Sequence, residues 1–136
     1  MTGADLARAA EALVGARYRL HGRDPRTGLD CIGVVAAALE ACGRLRNAPA
    51  GYGLRNRSIE SLLALAGDNG LVAADGPLVI GDIVLVLPGA GQHHLLVAVG
   101  GDRFVHAHVG LRRVVAQPGP LPWPIARHWR LEHEDS

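Results

Sequence analysis

The chain has 136 residues, the length of a single domain spanning 1–136. An apolar content of 49% suits an ordinary globular core, and a domain of this size needs neither disulfide nor metal to close one. A formal net charge of +1 leaves no electrostatic case for a nucleic-acid partner. All fourteen basic residues are arginine, a bias that reads as codon usage and carries no functional weight.

The N-terminal stretch MTGADLARAAEALVGARYRL lacks a basic segment followed by an apolar run, so no signal peptide is read there. No run approaches the ~20 apolar residues of a membrane span. The chain is expected to be cytoplasmic as synthesised. Leu6, Ala9, Ala10, Leu13 and Val14 recur at helical spacing and predict an amphipathic helix ended by Gly15. Residues 16–29 are polar and turn-rich and read as a loop. A second helix starts at Cys31 and puts Ile32, Val35, Ala36 and Leu39 on one face, with Gly43 as its stop. Asp30 is its expected N-cap. If Cys31 and Cys42 share this helix, about 16 Å of axis separates them, too far for a disulfide.

Residues 44–57 read as an exposed connection. A short third helix is expected from Ser58, with Ile59, Leu62, Leu63 and Ala66 inward and Gly67 at its end. After residue 80 the pattern changes to short β-branched runs punctuated by glycine, at 80–89, 93–101, 102–110 and 111–117. A Pro-rich turn at 118–124 leads to a last strand, IARHWRLE. Helices first and strands afterwards predict an α+β domain, with N-terminal helices packed on an antiparallel sheet.

The chemistry centres on GLDCIGVV, residues 28–35. A thiol at the first position of a helix lies in the positive end of the helix dipole, which favours thiolate. A cysteine nucleophile needs a base, usually histidine, and the base needs a polar group to hold its tautomer. Four of the seven histidines fall in the strand region: His93, His94, His106 and His108. His21 lies in the first loop, and His128 and His133, near the C-terminus, read as solvated. His94 and His106 fall on one face of a hairpin only if the loop around Gly100–Asp102 has an odd number of residues, or a bulge intervenes. Cys31, His94, His106 and His108 are also zinc-ligand types, but no CxxC or HxxxH spacing supports a metal site.

Four stretches in order resemble the NlpC/P60 family of papain-like cysteine peptidases. ARYRLHG (16–22) stands for the family's Y-x-W-G-G loop, LDCIGVV (29–35) for its D-C-S-G helix start and IGDIVLV (80–86) for its G-D-hydrophobic strand. HLLVAVGGDRFVHA (94–107) stands for the H-V-G-I-Y strand running into I-H-A, with the same spacing of twelve between histidines. The resemblance implies a papain-like fold and hydrolysis of an amide bond in a peptidoglycan stem peptide or muropeptide, of the γ-D-glutamyl–diamino acid type, with no cofactor and no metal. It implies Cys31 as nucleophile, His94 as general base and His106 as the residue orienting it. His93 competes with His94, and only the spacing to His106 favours the latter. Tyr18 matches the loop tyrosine that donates to the oxyanion, and Asp30 matches the aspartate holding the substrate's amino end. Arg19, beside Tyr18, joins Tyr18 and Asp30 as a substrate contact.

The chain departs from the pattern at Ile32 (usually serine), His21 (usually glycine), Leu95 and Leu96 (Val-Gly) and Ala98 (tyrosine). Tyr18 lies one residue further from Cys31 than is typical. An apolar residue after the cysteine resembles the phage-type branch, which implies delivery to the wall by a phage tail, a particle or lysis. Two other readings stay open: a peptidoglycan-binding module with weak or no turnover, and a cysteine amidase or acyltransferase on the same scaffold.

Overall fold

The computed structural model describes residues 2–43, 66 and 69–131. Helix α1 (Gly3–Glu11) opens on a capping box. Thr2 accepts from the Asp5 N–H, and the Asp5 carboxylate accepts from the Thr2 N–H at 2.9 Å. Leu6, Ala7 and Ala10 are buried. The predicted stripe ran on to Val14, but the last turn tightens. Leu13 N–H bonds to Ala10 and Val14 N–H to Glu11, which swings Val14 out to 46% exposure.

The expected loop holds a small antiparallel ribbon, β1 (Arg23–Asp24) and β2 (Gly28–Leu29). Its turn is closed by Asp24, whose carboxylate accepts from the Arg26 N–H at 2.9 Å and whose carbonyl accepts from Thr27. Helix α2 (Cys31–Ala41) follows, capped by Asp30 as expected. It is not one-faced. Every residue from Cys31 to Leu39 is buried, because α1, the ribbon and the sheet all pack against it. Gly43, at φ +70°, sits one residue beyond the C-cap Cys42. The predicted connection at 44–57 and the third helix from Ser58 lie outside the described residues, apart from the buried Ala66.

The sheet contains β3 (Leu71–Ala73), β4 (Ile83–Val86), β5 (His94–Val99), β6 (Arg103–His108), β7 (Arg113–Pro118) and β8 (Ile125–Leu131). Their order is β3-β8-β4-β5-β6-β7, and every neighbouring pair is antiparallel. Helices packed on an antiparallel sheet make the domain α+β, as expected. Strand β3 was not anticipated: three residues are too few to show alternation, and their partner β8 lies far along the chain.

Both sheet faces are covered. Leu95, Val97, Val99, Val105 and Ala107 join α1 and α2 in the main core. Val84, Val86, Leu96, Ala98 and Phe104 form a second layer under Leu78, Leu121 and Trp123. Each buried Val, Leu or Phe among them contributes about 1.5–3 kcal/mol. The Pro-rich segment is therefore a cover for the second face as well as a turn.

Two features of IGDIVLV fix the β4 end. Gly81 has φ +93°, and a Cβ there would lie 2.3 Å from the Gly3 carbonyl oxygen, so only glycine lets the strand meet α1 so closely. Asp82 is fully buried and accepts from Arg130 Nε (2.8 Å) and the Val79 N–H (3.0 Å), with His128 Nδ1 at 3.1 Å. Burial acts to raise its pKa. The bonds from Arg130, Val79 and His128 and the Arg130 charge outweigh burial and hold it below the usual carboxylate range. His128 is thus buried against β4, not solvated as its position near the C-terminus suggested. His133 lies outside the described residues. Among the described residues, no helix is long and apolar enough to cross a membrane.

Candidate active site

The hairpin β5–β6 closes through three residues, Gly100, Gly101 and Asp102, since Val99 pairs with Arg103. Gly101 and Asp102 take positive φ, at +73° and +54°. The loop is odd, so His94 and His106 fall on one face. His94 Nε2 lies 2.8 Å from His106 Nδ1, and the rings meet edge to face with centroids 5.0 Å apart.

The chain of contacts continues. His106 Nε2 lies 2.9 Å from Gln117 Oε1 on β7. Val115 is the direct register partner of His106, so Gln117 reaches it diagonally. Trp123 packs edge-on to both imidazoles, at 6.1 Å from His94 and 6.0 Å from His106. His106 is 1% exposed. Burial lowers its pKa, the Gln117 bond works against that, and the charge of His108 lowers it further, so the net shift is downward and disfavours the charged ring. His108 lies 5.6 Å from the His106 ring, and its Nδ1 accepts from the Leu111 N–H at 3.1 Å.

These rings border a cavity of about 360 Å³ whose walls include His93, His94, His106, His108, Gln92 and Trp123. His93 is half-buried in that wall. Among the described residues, no group of three or more His, Cys, Asp or Glu converges in a way that could hold a metal ion.

Cys31 occupies the first position of α2 and is fully buried. Backbone bonds fix where that helix mouth lies. Tyr18 bridges Leu29, two residues before Cys31, and Arg17 bridges Arg113 at the start of β7. The Tyr18 N–H donates to the Arg112 carbonyl at 3.0 Å. Arg113 pairs with His108 at the end of β6, and the β5–β6 register carried outward sets His94 across from His108. The first loop, the start of α2 and the start of β5 therefore share one end of the sheet. Tyr18 is half-buried against the core cluster that contains Cys31, and Arg19 is exposed beside it.

Asp30, the expected cap and substrate contact, is held from several sides. Its side chain is fully buried and committed: Oδ1 accepts from the Gly33 N–H (2.8 Å) and Arg23 (3.1 Å), Oδ2 from the His21 N–H (2.9 Å). Asp30 clamps the first loop onto the helix. Gly33 serves the same junction. A Cβ there would lie 2.1 Å from the Gly22 carbonyl oxygen, which gives the glycine of D-C-x-G a packing reason. His21 has φ +62°, the conformation glycine favours, at the position where the resembled pattern has glycine. Ile32 is fully buried in the core, so its replacement of serine alters packing within α2 and takes nothing from an exposed wall.

Sequence reasoning did not single out Gln117 or Trp123. A signal for Gln117 existed, because the strand run 111–117 placed it one strand beyond His106. Its use required the β6–β7 register. Nothing in PLPWP marked Trp123 as a cover for the two rings.

No family model and no curated protein matches the chain. Solved structures do. NlpC2 from Trichomonas vaginalis is 18% identical with a TM-score of 0.69, over 94% of this chain and 47% of that one. The peptidoglycan hydrolase RipB from Mycobacterium tuberculosis is 20% identical with a TM-score of 0.65, over 97% of this chain and 65% of that one. The NlpC/p60 domain of the peptidoglycan hydrolase SagA is 22% identical with a TM-score of 0.63, over 98% of this chain and 100% of that domain. The chain spans about half the length of the Trichomonas protein (47%) and all of the SagA domain (100%). The order of helices, the six-stranded antiparallel sheet and these likenesses together establish that the chain has the NlpC/P60 fold.

Proposed function

We propose that this domain is a cysteine peptidase that hydrolyses an amide bond in peptidoglycan stem peptides, of the γ-D-glutamyl–diamino acid type. The observation that carries the reading is the 2.8 Å contact between His94 and His106 at the end of the sheet that also holds the α2 mouth. Structures described as peptidoglycan hydrolases share the fold, which supports the substrate class.

In this reading His94 takes the Cys31 proton, and the thiolate attacks the scissile carbonyl. The helix N-terminus and the Tyr18 hydroxyl stabilise the oxyanion, and one such donor is worth about 2.7–4 kcal/mol. His94 then protonates the leaving amine, and water resolves the thioester. His106 holds the His94 ring through the contact at Nε2.

The test is mass spectrometry of muropeptides incubated with the chain and with Cys31→Ala. Cleavage at one amide bond by the first and none by the second is expected. Retention of intact muropeptides by both proteins, without cleavage, sinks the reading in favour of a binding module. Products that incorporate an added amine acceptor reassign the domain as an acyltransferase.

A further inference from the structure

We propose that Gln117 is a positioning residue: its amide oxygen sets the proton arrangement of both imidazoles and thereby makes His94 Nδ1 the basic atom. The inference rests on the peptidase reading for its consequence, but not for its geometry.

The argument starts from the acceptor. Gln117 Oε1 is 2.9 Å from His106 Nε2, and a carbonyl oxygen can only accept. That contact therefore holds a proton on His106 Nε2. In a neutral imidazole the other nitrogen must then carry the lone pair, so His106 Nδ1 is an acceptor. His94 Nε2, 2.8 Å from that atom, must supply the hydrogen. With its proton on Nε2, a neutral His94 ring keeps its lone pair on Nδ1. When that lone pair takes a proton, the ring becomes an imidazolium and its Nε2–H still donates to His106. No bond in the relay has to reverse.

The opposite arrangement runs from the same starting point. If the Gln117 amide NH₂ faced His106, it would donate to Nε2 and drive the proton onto Nδ1. His106 would donate to His94 Nε2, and the His94 proton would sit on Nδ1, where it blocks proton acceptance. One side-chain amide two strands away thus selects between a competent and an incompetent base. A neutral acceptor also suits a buried ring, because burial disfavours its charged form. His106 is 1% exposed and in contact with three other rings, His94, His108 and Trp123.

The test is nitrogen-15 NMR of histidine-labelled protein, which reads the tautomer of each ring without substrate. Wild type is expected to show His94 and His106 both protonated on Nε2. Gln117→Leu should mix the tautomers and lower kcat about a hundred-fold with KM little changed. Gln117→Glu keeps an acceptor in place and should retain the Nε2–H tautomers, with the His106 titration moved to higher pH by the added charge. If His106 is protonated on Nδ1 in wild type, or if the tautomers of the folded Glu variant differ from wild type, the proposal is overturned. A chain with the expected tautomers that cleaves no muropeptide defeats the peptidase reading and leaves the Gln117 assignment intact.

Discussion

A histidine ring can accept a proton at one nitrogen only while the other is occupied, and at His94 the occupied side faces His106 at 2.8 Å. What matters at position 106 is therefore an acceptor at the right distance. His106→Asn, which keeps a carbonyl oxygen, is expected to retain more activity than His106→Leu. Replacement by Leu should cost on the order of a hundred-fold in kcat/KM on a muropeptide substrate. Equal losses in the two variants would mean that the ring only fills space. At this scale the sequence was partly legible. The interval of twelve residues between His94 and His106 pointed to the pair, and the odd Gly100–Asp102 loop put them on one face. Asp30 was legible as a cap but not as a buried clamp, because its bonds to His21 and Arg23 depend on the path of a loop.

At the scale of elements, the critical junction is the first loop against the first turn of α2. Gly33 and Gly22 meet backbone to side-chain position there, and a methyl group would have to occupy the space of a carbonyl oxygen. Gly33→Ala is expected to destabilise the domain by about 1–3 kcal/mol, the usual cost of overpacking, and to lower activity further by displacing Tyr18. Urea unfolding beside kinetics at fixed folded fraction separates the two effects. Unchanged stability would show that the loop has room to move. The start of α2 was readable because capping is local chemistry. The all-round burial of α2 was not, since it arises from three neighbours that periodicity does not report. The ribbon β1–β2 and the edge strand β3 were missed for a related reason: two or three residues carry no period.

Across the whole molecule, the order of helices before strands identified the class, and four ordered motifs identified the fold. Each motif turned out to mark a place where elements meet: the first loop at α2, Gly81 at α1, Asp82 at β8, and the two histidines across β5 and β6. Two buried groups make global stability pH-dependent. Asp82 has its pKa depressed in the folded state, so the unfolded chain binds the extra proton first on acidification. Its contribution is complete above the ordinary carboxylate value of about 3.9 and is lost as pH falls through the lower folded value. His106 is depressed in the same sense, so its contribution is complete above about 6.5 and is lost on acidification below that. Asp82→Asn should therefore lower stability at neutral pH and show a shallower decline below about pH 4 than wild type. Thermal unfolding across pH 2.5 to 7, roughly the span of both transitions, checks this; parallel curves for the two proteins would contradict it. The central claim is that a thiol at the α2 mouth and the His94 imidazole act as one proton-transfer pair. It is tested most directly by alkylation of Cys31 at about pH 6.5, well below the ordinary thiol pKa of about 8.5, in a Cys42→Ala background. The account predicts a reaction that slows by about ten-fold or more in His94→Ala, whose thiol has lost its base. Equal rates with and without the imidazole would contradict it.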